Sequence, residues 1–73
     1  MPIDLKIGDV IRARGSNAWL NEGQQYVIVD FQPPEALQPN MALVYIDTNA
    51  GFKWIGIDLE LLENDYSTFE VVK

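Results

Sequence analysis

The sequence predicts a mainly β domain, a small antiparallel barrel or curled sheet of about five strands with one short helical turn. A turn signal and a strongly apolar strand run together at residues 20–31, LNEGQQYVIVDF. Apolar residues recur with a period of two in MALVYID and FKWIGI, and Gly, Asn and Pro punctuate the intervals between these runs. In the first stretch Gly23 supplies the permissive φ that ends a tight turn, and residues 24–31 alternate as a strand. Tyr26 and Ile28 point to one face and Val27, Val29 and Phe31 to the other. Apolar groups on both faces mark this as the central strand of the domain.

The other elements follow in chain order. Residues 3–14 hold Leu5, Ile7, Val10, Ile11 and Ala13 around Gly8-Asp9, a pattern broken where a strand bends or bulges, and they read as one bent first strand. RGSNAW, residues 14–19, is a polar turn ending in an aromatic, the kind of loop found at a barrel mouth. Pro33, Pro34 and Pro39 stiffen residues 32–40 into a loop by removing backbone donors and holding their predecessors extended. Residues 41–47 form the third strand, with Ala42, Val44 and Ile46 on one face and Leu43, Tyr45 and Asp47 on the other. Residues 48–51 make a hairpin connection in which Asn and Gly tolerate positive φ, and residues 52–57 form the fourth strand. Residues 58–65 admit two structures. Ile55, Ile57, Leu59 and Leu61 alternate as one long strand would, whereas Leu59 and Leu62 at spacing three behind a capping Asp58 favour a helical turn. Residues 65–68 turn the chain and residues 69–72 close the sheet.

At 73 residues the chain has room for a single domain, residues 1–73, and a hydrophobic content of 48% is enough to fold it. The absence of Cys excludes disulfides and thiolate chemistry and suits a reducing cytoplasm; the absence of His removes the commonest general base and zinc ligand. Ser16 and Ser67 have no basic partner nearby in sequence, and Gly8, Gly15 and Gly23 form no phosphate-binding pattern. No enzyme, metal or cofactor is therefore expected. No apolar run approaches the roughly 20 residues that span a bilayer, and the amino terminus lacks the regions of a signal peptide. With 11 acidic against 5 basic residues the net charge is −6, which repels phosphate backbones and anionic lipid and favours basic protein surfaces. The expectation is a monomeric protein-binding domain with no direct contact to nucleic acid or membrane. The small basic spot of Lys6, Arg12 and Arg14 is assigned to pairing with neighbouring acids.

The candidate partner-binding residues are two tryptophans and a run of acids. Asp58, Glu60, Glu63 and Asp65 crowd into one short segment without the alternating ligands and central Gly of a calcium loop, so they read as a solvated acidic ridge able to meet a basic partner. Tyr26, Phe31, Phe52 and Phe69 sit in apolar runs and are placed in the core or at its edge. Trp19 follows a polar loop. Trp54 shares a strand face with Phe52 and Gly56, and points outward as a contact anchor if Ile55 and Ile57 point inward; packing over the second face of a curled sheet is the alternative.

Lys6-Ile7-Gly8-Asp9-Val10-Ile11, then Leu20-Asn21-Glu22-Gly23-Gln24-Gln25-Tyr26-Val27-Ile28-Val29, then Phe69-Glu70-Val71-Val72 resemble the small SH3-like barrels of phage and bacterial early proteins. The resemblance covers most of the chain and implies that Tyr26 and Ile28, three and five residues after the glycine, face the core. RGSNAW has no clear counterpart of the aromatics with which SH3 domains bind proline-rich peptides. Within that group the whole chain, from MPIDLKIGDV onward, resembles the small host-transcription regulators of lytic Xanthomonas phages. That resemblance implies a protein of the host cytoplasm that binds host RNA polymerase near the amino terminus of its β′ subunit, blocks initiation from host promoters and suppresses termination. It marks no contact residues. A generic SH3-like adaptor is the alternative, and a nucleic-acid mimic is disfavoured because the acids concentrate in residues 58–65 instead of spreading over the surface.

Overall fold

A computed structural model describes residues 5–72. The elements are β1 (Val10–Ala13), β2 (Gln25–Val27), β3 (Asp30–Gln32), β4 (Met41–Thr48), β5 (Gly51–Asp58), α1 (Leu59–Glu63) and β6 (Phe69–Val72). They form two three-stranded antiparallel sheets, ordered β2-β1-β6 and β3-β4-β5, so the mainly β class with one short helix is what the chain adopts. The core lies between the sheets. Ile11, Ala13, Tyr26 and Phe69 come from the first, Val44, Ile46 and Ile57 from the second, and Leu5, Leu20, Ile28 and Leu62 fill in from the connections.

The expected central strand, residues 24–31, is instead divided into β2 and β3, each at an edge of its own sheet. The division falls between Ile28 and Val29. Ile28 donates to the Asp9 carbonyl at 2.9 Å and accepts from the Gly8 amide at 2.8 Å, which ties it to the first sheet. Val29 donates to the Tyr45 carbonyl at 2.9 Å, yet Asp30 is the residue in register with Tyr45. Two residues of this strand thus face one of β4, which is a β-bulge, and the bend it imposes carries the chain from one sheet into the other. The inward assignment of Tyr26 and Ile28 holds, since both are buried while Val27 and Val29 are exposed.

The first strand is also shorter than expected: β1 begins at Val10, and Ile3 and Asp4 of the expected span lie outside the described residues. The bend at Gly8-Asp9 is present. Gly8 has φ 95 and donates to Ile28, while Ile28 donates to the next residue, Asp9, so this pair is a bulge whose first position requires positive φ. Gly23 likewise takes φ 83 at the turn before β2.

The β4–β5 hairpin is the longest paired unit, in register from Met41↔Asp58 to Thr48↔Gly51. Ala42, Val44 and Ile46 are buried, as their alternation requires. Beyond Asp58 the chain becomes helical. Asp58 Oδ1 accepts from the Glu60 and Leu61 amides at 3.0 and 3.1 Å, which satisfies two otherwise orphan donors and ends the strand. The helical turn buries Leu62 and leaves Leu61 exposed; alternation continued as a strand would have placed Leu61 on the side of Ile57. β6 then pairs with β1 from Ala13↔Phe69 to Val10↔Val72.

Candidate functional site

The inner face of the β3-β4-β5 sheet is sealed against the core, and its outer face carries the chemistry. Pairing across the hairpin places Tyr45 opposite Trp54 and Asp47 opposite Phe52. The rings form a ladder: Tyr45 and Phe52 stack with centroids 5.5 Å apart, and Tyr45 and Trp54 lie 5.0 Å apart at a tilt of 43°. Phe52 keeps 52% of its surface exposed and Trp54 39%. Aromatic contacts of this kind contribute about 0.5–1.5 kcal/mol beyond area burial, enough to hold the rings in place before any partner arrives. The assignment of Phe52 to the core or its edge is therefore wrong, because residue 52 shares its face with Asp47 and points outward; Phe31 is half-buried, at the core edge as expected.

The apolar strip continues along the sheet through Leu43 and Met41. Met41 lies across Gly56, where an added Cβ would come within 3.2 Å of its Cε. Next to it, Met41 and Leu43 form one wall of a groove of about 250 Å³ whose other side is Pro33, Glu35 and Gln38 of the proline loop. An apolar strip this continuous on a small domain is a candidate contact surface.

Asp30 and Asp47 border the strip. Asp30 is in register with Tyr45, and its carboxylate accepts from the neighbouring Phe31 amide. Among the described residues no basic side chain pairs with either acid. Arg12, Arg14 and Lys53 are engaged elsewhere. Arg12 pairs with Glu70, and Arg14 reaches Asp65 at 3.3 Å and Glu70 at 3.8 Å, all around the first sheet, as expected for these two members of the basic spot; of Lys6, among the described residues, only the backbone amide meets an acid, Asp9. Lys53 leaves β5 on the side opposite Trp54 and lies over the Trp19 ring at 5.6 Å.

The residues singled out in the sequence are not brought together. Trp54 points outward on the aromatic ladder, so the first of its two placements is the one found. Trp19, 45% exposed, sits at the far end of the hairpin on the other side of β5, where its carbonyl accepts from the Asn49 amide. Asp58 is spent as the helix cap. Glu60 accepts from Asn40 Nδ2 at 3.3 Å, and Asp65 accepts from Arg14. Glu63 is exposed at the end of α1. This ridge is exposed acid, but much of it serves the local structure. Tyr45, Phe52, Asp30 and Asp47 were missed. Alternation had already placed Tyr45 with Asp47, and the tight hairpin at residues 48–51 sets the register that brings Phe52 and Trp54 beside them; combining the two signals finds the ladder.

Both serines act structurally. Ser16 Oγ accepts from the Glu22 amide at 2.8 Å, and buried Ser67 Oγ accepts from the Phe69 amide at 3.2 Å. Among the described residues no cluster of acidic side chains is arranged to hold a metal ion, and no helix is long and apolar enough to cross a membrane. No protein-family model, characterised protein or solved structure matches the chain significantly.

Proposed function

We propose that this protein is a noncatalytic regulator that binds host RNA polymerase through the amino-terminal region of the β′ subunit, inhibiting initiation and suppressing termination during phage takeover of the host cytoplasm. The observation that carries the binding part is the exposed ladder Phe52-Tyr45-Trp54, bordered by Asp30 and Asp47. Rigid aromatics in the middle of an exposed strip supply contact area at little entropic cost, and acids at the rim speed encounter with a basic surface. The choice of polymerase as partner rests on the resemblance of the segments quoted above to phage regulators of host transcription. The reading includes no catalytic step and no cofactor.

The test is binding of the intact protein to purified host polymerase and to an isolated amino-terminal β′ fragment, at low and high salt, alongside transcription from a host promoter through a terminator. Binding to both, fewer initiated transcripts and more read-through are the expected results. If neither polymerase nor fragment binds, the polymerase reading fails and a protein-binding adaptor with a different partner takes its place.

A further inference from the structure

The hairpin leaves one long strand edge open. Strand β5 has β4 on one side and, among the described residues, no strand on the other. The groups it offers there follow from the ladder. Leu59 donates to the Asn40 carbonyl at 2.7 Å, continuing the β4–β5 register by one step beyond Met41↔Asp58. Hydrogen-bonded and non-hydrogen-bonded pairs alternate in an antiparallel ladder, so the bonded pairs are Ala42/Ile57, Val44/Ile55, Ile46/Lys53 and Thr48/Gly51. The Val29 bond to the Tyr45 carbonyl agrees, because it directs the odd-numbered residues of β4 toward β3. Phe52, Trp54 and Gly56 therefore turn both N–H and C=O away from β4, in a row of about 14 Å at the strand rise.

Open edges are usually shortened, bulged, or guarded by Lys or Pro. β5 is 8 residues long, whereas β6 has 4 and β2 and β3 have 3 each. It contains no Pro, and its one Lys is drawn over Trp19 on the opposite side from the aromatic ladder. The side chains flanking the open groups are Phe52 and Trp54, both exposed.

We propose that the β5 edge takes an extended basic segment of a partner protein as an additional strand of the β3-β4-β5 sheet. This rests on the protein-binding reading above and specifies the partner's chemistry. Main-chain donors and acceptors that have no partner strand among the described residues, at alternate positions, call for extended main chain. Side chains of the added strand on the outer face stand beside Phe52 and Trp54, where Lys or Arg gains a cation–π contact. Asp47 lies one strand further in, about 10 Å from the added backbone at ordinary strand spacing, within reach of a long cation laid across Phe52. A second copy of this chain is the poorer occupant, because two chains of net charge −6 repel.

Amide hydrogen exchange on the intact protein tests this, with two probes: the amino-terminal β′ fragment and a capped peptide of alternating Val and Lys. The expected result is that the Phe52, Trp54 and Gly56 amides exchange freely alone and slow by about tenfold or more with either probe. A peptide of alternating Val and Glu should leave them unchanged. If the fragment binds while these amides stay unprotected, strand addition is overturned and the polymerase reading survives. If the fragment fails to bind but the Val-Lys peptide protects the edge, strand addition stands and the polymerase reading falls. Equal protection by the Val-Glu peptide, or protection that grows with protein concentration alone, overturns the basic partner. Gly56→Pro removes one edge donor without touching a ladder bond and should weaken Val-Lys binding about tenfold; if that variant unfolds, the exchange measurements on the unaltered chain decide.

Discussion

The two faces of the β4–β5 hairpin are almost equally apolar and have opposite fates. Inside, Val44, Ile46 and Ile57 pack in the core with the first sheet and Ala42 is buried; outside, Leu43, Phe52 and Trp54 are exposed and Tyr45 is half-buried between its neighbours. Composition does not separate them. The separation comes from what lies opposite: the inner face meets Ile11, Tyr26 and Phe69, whereas the outer face has, among the described residues, its own neighbours, with Tyr45 stacked on Phe52 and tilted against Trp54. Hydrophobic burial is proportional to area removed from water, so the same side chain that stabilises the fold inside is available for binding outside.

Substitutions can break or sharpen this contrast. The largest effect belongs to the sealed side. Ile28→Ala, at a fully buried position, should cost about 2–5 kcal/mol through lost transfer energy and the cavity left behind. In a domain this size each kcal/mol shifts the melting temperature by about 4–8 °C, so a fall of about 10 °C or more is expected. A melt within two degrees or so of the unaltered protein, against that scale, would show that the inward face is misassigned.

On the exposed side the loss should appear in binding. Trp54→Ala should cost about 2 kcal/mol of partner affinity, mainly as faster dissociation, with a stability loss of about 1 kcal/mol from the broken contact with Tyr45. Unchanged binding by a folded variant would move the contact surface off the ladder. Trp19→Ala provides the comparison, since Trp19 lies on the other side of β5 and should affect binding less.

Between these lies the helix cap. Asp58→Ala should cost about 1 kcal/mol in a chemical denaturation experiment, because the Glu60 and Leu61 amides lose their acceptor. No change would mean that water replaces the cap. The smallest effect is expected at Asp65→Asn. Asn tolerates the φ of 62 at this position, and the exposed pair with Arg14 is worth at most about 1 kcal/mol. A larger loss would reveal that Arg14, which also touches Glu70, depends on this carboxylate for its position.

Much of the fold was legible along the chain. The alternation of Ala42, Val44 and Ile46 set the buried face of β4, the Asp58 cap with Leu62 favoured the helical turn, and the broken pattern at Gly8-Asp9 marked a bulge. The candidate site was only half legible: Trp54 was placed outward on the strength of Ile57 pointing in, but Phe52 was assigned inward because an apolar run on an edge strand does not state which of its residues has a partner. Charge density along the chain likewise says nothing of local pairing. The densest run of acids, at residues 58–65, is largely engaged in capping and pairing, whereas isolated Asp30 and Asp47 stand beside the aromatics with no basic side chain paired to them among the described residues.

The sequence by itself determined the strand class, the local caps and turns, and which residues share a face, because these depend on backbone geometry and periodicity within a few residues. Only the tertiary structure decided that residues 24–31 serve two sheets, since the bulge at Val29 exists only against Tyr45 of β4. It also decided that the face carrying Phe52, Tyr45 and Trp54 is the one left uncovered, beside an open edge. Burial is a property of pairs of surfaces, and which surface a strand meets is set by long-range pairing that no local pattern encodes.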